Sequence, residues 1–114
     1  MTNSIALVVE DDALQREVMS ELLKDNGLEV VECNTAEAAE LVLTSTGPEL
    51  LALVTDVNLP GEMTGVELAE YAKRKFPKLN VVMVSGQGAS YIPQNTRFFL
   101  KPYRLTDLLD AVFN

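Results

Sequence analysis

Asp56 follows the apolar, partly β-branched run Leu50-Leu51-Ala52-Leu53-Val54-Thr55, and Val57-Asn58-Leu59-Pro60-Gly61 comes directly after it. The run reads as a buried parallel strand, and Pro-Gly announces a loop. A second run, Ile5-Ala6-Leu7-Val8-Val9, ends in Glu10-Asp11-Asp12. Two more, Val81–Val84 and Arg97–Leu100, end at Ser85-Gly86 and Lys101-Pro102. Open α/β sheets take their ligands at strand carboxyl ends, so these spacings bring four acids, a hydroxyl and an ammonium to one edge. Acids gathered there repel one another unless a divalent cation sits among them. A carboxylate in that setting is a nucleophile that can take phosphorus as an acyl phosphate. Mg²⁺ wants oxygen ligands and few from the protein, so two acids and a backbone carbonyl suffice. An ammonium, a hydroxyl and the metal together neutralise the equatorial oxygens of a transferring PO₃ group. The residue set points to phosphoryl transfer.

Elements to position these residues alternate along the chain. Asp12 stands before Ala13 as a helix cap rather than a ligand, and the helix runs to Asn26-Gly27 with Leu14, Val18 and Leu22 at spacings of four. A strand around Val30 and Val31 follows. Thr35 then caps an Ala-rich helix with Ala39, Val42 and Leu43 inward, ended by Gly47-Pro48. Thr64-Gly65-Val66-Glu67 is a capping box, and its helix continues through Leu68, Ala72 and Phe76 to Pro77. Leu105, Leu108, Leu109 and Val112 form the apolar stripe of a last helix. Phe98 and Phe99 alternate along their strand, which assigns one of them to the core. Five strands alternating with helices predict an α/β fold with a doubly wound parallel sheet, one domain over residues 1–114.

The bulk composition agrees and excludes other classes. With 47% hydrophobic and 23% charged residues, the chain is not disordered. A net charge of −8 argues against direct nucleic-acid binding, which needs clustered Lys and Arg. Cys33 is the single cysteine and no His is present, so the expectation is a small, partly buried hydrophobe without reactive chemistry. Met1-Thr2-Asn3-Ser4 carries no signal-peptide pattern, and no apolar run reaches membrane-spanning length. The expected location is cytoplasmic, with no membrane association.

Taken in order, Val8-Val9-Glu10-Asp11-Asp12, Asp56 with Leu59-Pro60-Gly61 and Gly65, Val84-Ser85-Gly86, and Lys101-Pro102-Tyr103 resemble the response-regulator receiver domains of two-component signalling. The resemblance covers all 114 residues and implies a flavodoxin-like five-stranded sheet of order 2-1-3-4-5. It implies that Asp56 is the phosphoacceptor. Asp11 would be a direct Mg²⁺ ligand, Glu10 would act through water, and Asn58 would give its backbone carbonyl. Ser85 and Lys101 would bind phosphoryl oxygens, and Phe98 matches the switch aromatic; Tyr103 reads as packing. The implied partners are a histidine kinase or histidine phosphotransfer protein as donor and an unknown downstream protein. One departure is a short interval of sixteen positions from Ser85 to Lys101. Residues 87–96 contain Gly88 and Pro93 without an amphipathic repeat, so the fourth helix usual in receivers is expected to be short, irregular or missing.

The same residues bear on other classes of protein. Ser85-Gly86 also suits a plain turn, and Lys101 a solvated loop. A receiver-like interaction module that takes no phosphate usually lacks an acid or the lysine, and this chain retains them. A phosphatase with an Asp nucleophile would favour Asp-x-Asp, whereas Val57-Asn58 follows Asp56. A flavin phosphate would be repelled by the three acids after the first strand. The Met1 start and the end at Asn114 suggest a stand-alone regulator over a receiver cut from a hybrid kinase.

Overall fold

The computed structural model describes residues 4–114, so the reading of the first three residues lies outside it. The elements are β1 (Ile5–Val9), α1 (Ala13–Asp25), β2 (Glu29–Cys33), α2 (Ala36–Thr46), β3 (Leu50–Asp56), α3 (Gly65–Lys75), β4 (Asn80–Ser85), β5 (Arg97–Leu100) and α4 (Leu105–Phe113). The five strands form one parallel sheet of order β2-β1-β3-β4-β5. Strand alternation divides the core in two. Leu7, Val9, Leu53, Val81 and Met83 meet α2 and α3, whereas Ala6, Val8, Val54, Val82 and Val84 meet α1 and α4. Covering both faces suits the near-continuous apolar runs of β1, β3 and β4.

Register sets the functional edge. Val9 pairs with both Cys33 and Thr55, Asp56 with Val84, and Ser85 with Leu100. Glu10, Asp56, Ser85 and Lys101 therefore leave the sheet within about two residues of the same level. Backbone bonds extend the ladder past the strand ends, from Glu10 N to the Cys33 carbonyl at 3.1 Å and from Lys101 N to the Ser85 carbonyl at 2.7 Å.

The helix starts follow the capping chemistry. Asp12 accepts from Gln15 N at 2.9 Å, Thr35 from Ala38 N at 3.1 Å, and Thr64 with Glu67 closes a full capping box. The expected inward stripe of α1 is corrected, however. Met19 and Leu23 are buried, while Leu14 and Val18 are 69% and 60% exposed. Residues four apart drift about 40° around a helix at each step, so a row that reaches the core edge at Leu22 has turned outward by Leu14. Leu105 at the start of α4 is likewise exposed.

The assignment of Phe98 or Phe99 to the core is also corrected. Both are half-buried, one against each cluster. The cause is position: β5 is an edge strand of four residues, and residues 86–96 lay no helix over it. Of the three expectations for the fourth receiver helix (short, irregular or missing), the last is observed, since residues 86–96 carry no helix. Among the described residues no helix is long and apolar enough to cross a membrane.

Candidate functional site

The ends of β1 and β3 bring Glu10, Asp11 and Asp56 together, with one carboxylate oxygen of each within 4.8 Å of the others. Lys101, just past β5, reaches into this group. Its Nζ lies 3.1 Å from Asp56 Oδ2, 3.2 Å from Glu10 Oε1 and 2.6 Å from Gln15 Oε1. The second oxygen of Asp56 accepts from Asn58 N at 3.1 Å, and the second oxygen of Glu10 from Asp12 N at 3.2 Å. Backbone amides thus orient both carboxylates.

Glu10 is only 6% exposed. Burial pushes its carboxyl pKa up and the Asp56 charge adds to this, so the Asp12 amide and the Lys101 ammonium do not restore the usual value. Burial opposes the Lys101 charge as well, yet hydrogen bonds and attraction from Asp56 and Glu10 outweigh it and raise its pKa. With its acids ionised, the group of three carboxylates and one ammonium keeps two negative charges. Hard oxygen donors with that residual charge fit a small divalent cation.

Ser85 is 1% exposed, and its hydroxyl accepts from Gln87 N at 3.1 Å, so its turn role is real. The hydroxyl proton stays available for donation. Phe98, paired with Met83 of the strand that ends in Ser85, packs on the α2–α3 face. Tyr103 packs as expected, its ring 6.2 Å from that of Phe99. Cys33 is a buried free thiol whose pKa is pushed up by burial, against the Arg16 charge.

Two supporting residues escaped the sequence reading. Gln15, one turn into α1, takes a hydrogen from Lys101. Arg16 donates to the Glu10 carbonyl at 2.8 Å and pairs with Glu32 at 3.3 Å, which ties the acid-bearing turn to β2. Beside the charged group a cavity of about 260 Å³ opens between α1 and α4. Leu14, Val18, Tyr103 and Leu105 wall it, and Glu10, Asp56 and Lys101 close its inner end. The outward-turned leucines of both helices therefore border the reactive edge.

Doubly wound topology, acids at the ends of β1 and β3 and a lysine after β5 together make up the arrangement of a receiver domain. Residues 6–113 match the response regulator receiver domain, and the chain belongs to that family. Nodulation protein W of Bradyrhizobium diazoefficiens is 35% identical over 97% of this chain and 50% of its own length. Response regulator receiver protein CpdR of Brucella abortus is 30% identical over 93% of this chain and 91% of its own. A crystal structure of a response regulator receiver protein from Sinorhizobium medicae superposes with a TM-score of 0.87 at 25% identity, covering 95% of this chain and 90% of that one. The chain spans half of the first of these relatives and nearly all of the second.

Proposed function

We propose that this domain is a phosphorylation switch in which Asp56 takes a phosphoryl group from the phosphohistidine of a histidine kinase or histidine phosphotransfer protein. The observation that carries this reading is the convergence of Glu10, Asp11 and Asp56 within 4.8 Å, with Lys101 3.1 Å from Asp56. The 114 residues contain no His, so the donor imidazole belongs to another segment or molecule.

An Asp56 carboxylate oxygen attacks phosphorus, a P–O bond forms as the P–N bond breaks, and the electron pair stays on the imidazole nitrogen. Lys101 exchanges its contact with the carboxylate for one with a phosphoryl oxygen, and the Ser85 hydroxyl donates to another. Asp11, Asp56 and the Asn58 carbonyl would hold Mg²⁺, with Glu10 completing the acid set. When bound, the cation supplies positive charge against the carboxylates and the phosphoryl oxygens. Acyl phosphate hydrolysis at the same residues would end the signal.

The phosphorylated domain then acts by contact with a downstream protein in the cytoplasm, Ser85 and Phe98 moving together as the switch. The acidic balance of −8 speaks against direct contact with nucleic acid. Intact-mass analysis after incubation with acetyl phosphate and Mg²⁺ is the test. One phosphoryl adduct is expected on the native chain and none on Asp56→Asn. A native chain without an adduct would make this an interaction module of receiver shape, and an adduct that persists in the variant would put the site elsewhere.

A further inference from the structure

Glu37 is the second residue of α2, on the surface, and its strongest contacts are not in its own helix. Its Oε2 accepts two backbone hydrogens from the loop between β3 and α3, from Glu62 N at 2.9 Å and from Met63 N at 3.0 Å. These partners lie 25 and 26 positions along the chain. The Met63 amide, then the backbone amides of Glu37 and Glu62, hold its carboxyl below the usual range.

The loop is shaped around this carboxylate. Gly61 has φ +97°, a conformation that favours glycine. A Cβ there would stand 2.8 Å from Glu37 Oε1 and 3.0 Å from Oε2. At its start the loop is held by Asn58 N on Asp56 Oδ1 and by Gly65 N on the Val57 carbonyl at 2.9 Å. At its end it is held by the Thr64–Glu67 capping box. Glu37 supplies the anchor in between, from a different layer of the fold. An ordinary first-turn glutamate would serve its own helix terminus, whereas this one also closes two otherwise open amides of a neighbouring loop.

We infer that Glu37 is a positioning residue that latches the β3–α3 loop and so fixes the Asn58 carbonyl beside Asp11 and Asp56 for the cation. The inference rests on the proposed function of the site. A latched loop is already ordered when the cation arrives; an unlatched loop loses that freedom on binding, and affinity falls.

The test compares the native chain with Glu37→Ala, Glu37→Gln and Thr35→Ala. Glu37→Ala is expected to weaken Mg²⁺ binding about three- to tenfold, as loss of two charge-assisted hydrogen bonds would. Its phosphorylation by acetyl phosphate should be slow at low Mg²⁺ and native at saturating Mg²⁺. Glu37→Gln keeps an acceptor oxygen and should fall between. Thr35→Ala removes the cap of the same helix, so it should lower thermal stability and leave Mg²⁺ affinity native. In the metal-free proteins, hydrogen exchange at the Glu62 and Met63 amides should accelerate most in Glu37→Ala, less in Glu37→Gln, and not specifically in Thr35→Ala. Native Mg²⁺ affinity in Glu37→Ala, or an equal loss in Thr35→Ala, would overturn the latch. A native chain that binds no Mg²⁺ and takes no phosphoryl group would overturn the reading of the site itself, a result seen without any variant.

Discussion

Gly65→Ala places one methyl group at the tightest junction near the site. Gly65 opens α3, and a Cβ on it would fall in hard overlap with the Asp56 carbonyl oxygen and 2.8 Å from Val57 Cα. Both neighbours are backbone, so neither can swing away. Restoring ordinary contact distances requires the first turn of α3 to part from the end of β3 by roughly 1.5 Å. That movement strains the Gly65 N to Val57 carbonyl bond, now 2.9 Å. Overpacking costs about 1–3 kcal/mol and a weakened buried hydrogen bond about 1 kcal/mol more. The helix preference of alanine over glycine offsets at most about 1 kcal/mol. A net loss of about 1–3 kcal/mol follows, which at a typical urea dependence lowers the Cm by about 1 M.

Function should suffer separately, because the displaced carbonyl belongs to the residue whose carboxylate sits 3.1 Å from Lys101. A misplacement of about 1 Å at a reacting group is worth up to ~100-fold in rate. Urea denaturation and the acetyl phosphate reaction measure the two effects. Gly88→Ala is the control, since nothing lies within 4 Å of a Cβ there, and it should stay within about 0.5 kcal/mol of native. A Gly65→Ala chain with native Cm and native rate would refute the close approach of helix and strand.

Glu10→Gln should stabilise the metal-free domain at neutral pH. Glu10 has a folded-state pKa above its ordinary 4.5, so its ionised form is disfavoured by folding, and the loss grows as pH rises from 4.5 through the raised value. The variant's advantage in Cm should therefore vanish below pH 4.5 and shrink when Mg²⁺ is added; an advantage independent of pH would contradict this origin. Residues 86–96, which carry no helix and expose Tyr91 and Ile92, should exchange amide hydrogens fastest of the internal segments and gain protection with beryllofluoride and Mg²⁺. Equal and strong protection in both states would mean that the signal leaves through another face.

Much of the positioning was legible because it is local. Capping by Asp12, Thr35 and Thr64 depends on residues three apart, and strands announce themselves by short apolar runs bounded by Gly and Pro. Strand order came with the family resemblance, and the gathering of Glu10, Asp56 and Lys101 at one edge follows from a parallel sheet. The tilt of α1 was not legible, because Leu14, Val18 and Leu22 satisfy a spacing of four while the core selects Met19 and Leu23. Burial of Phe98 and Phe99 was overestimated because it depends on what covers an edge strand. Gln15, Arg16 and Glu37 were missed for a single reason. Each acts on a group from another element, in the case of Glu37 on amides 25 and 26 positions away, and such bonds leave no periodic trace.

The distribution of order in the fold bears on how a switch of this kind works. Val8, Val9, Val54 and Val84 are at most 3% exposed, and their close packing holds β1, β3 and β4 in register. The acids stand on that rigid base, so they cannot relax their repulsion by moving apart. Among the described residues, Lys101 is the cation ion-paired with these acids, and two negative charges stay unmatched. A cation that binds the folded site and not the open chain must therefore stabilise the fold, by about 1.4 kcal/mol at ten times its Kd. In the proposed reaction, a phosphoryl group on Asp56 would add negative charge at the same point and draw on the Lys101 ammonium and on the Ser85 hydroxyl. These two groups stand after β5 and at the end of β4, the side of the sheet where coverage is thinnest. On the proposed reading, rigid acids on one side and partners beside the thinly covered edge on the other would give the phosphoryl group something fixed to bind and something to pull.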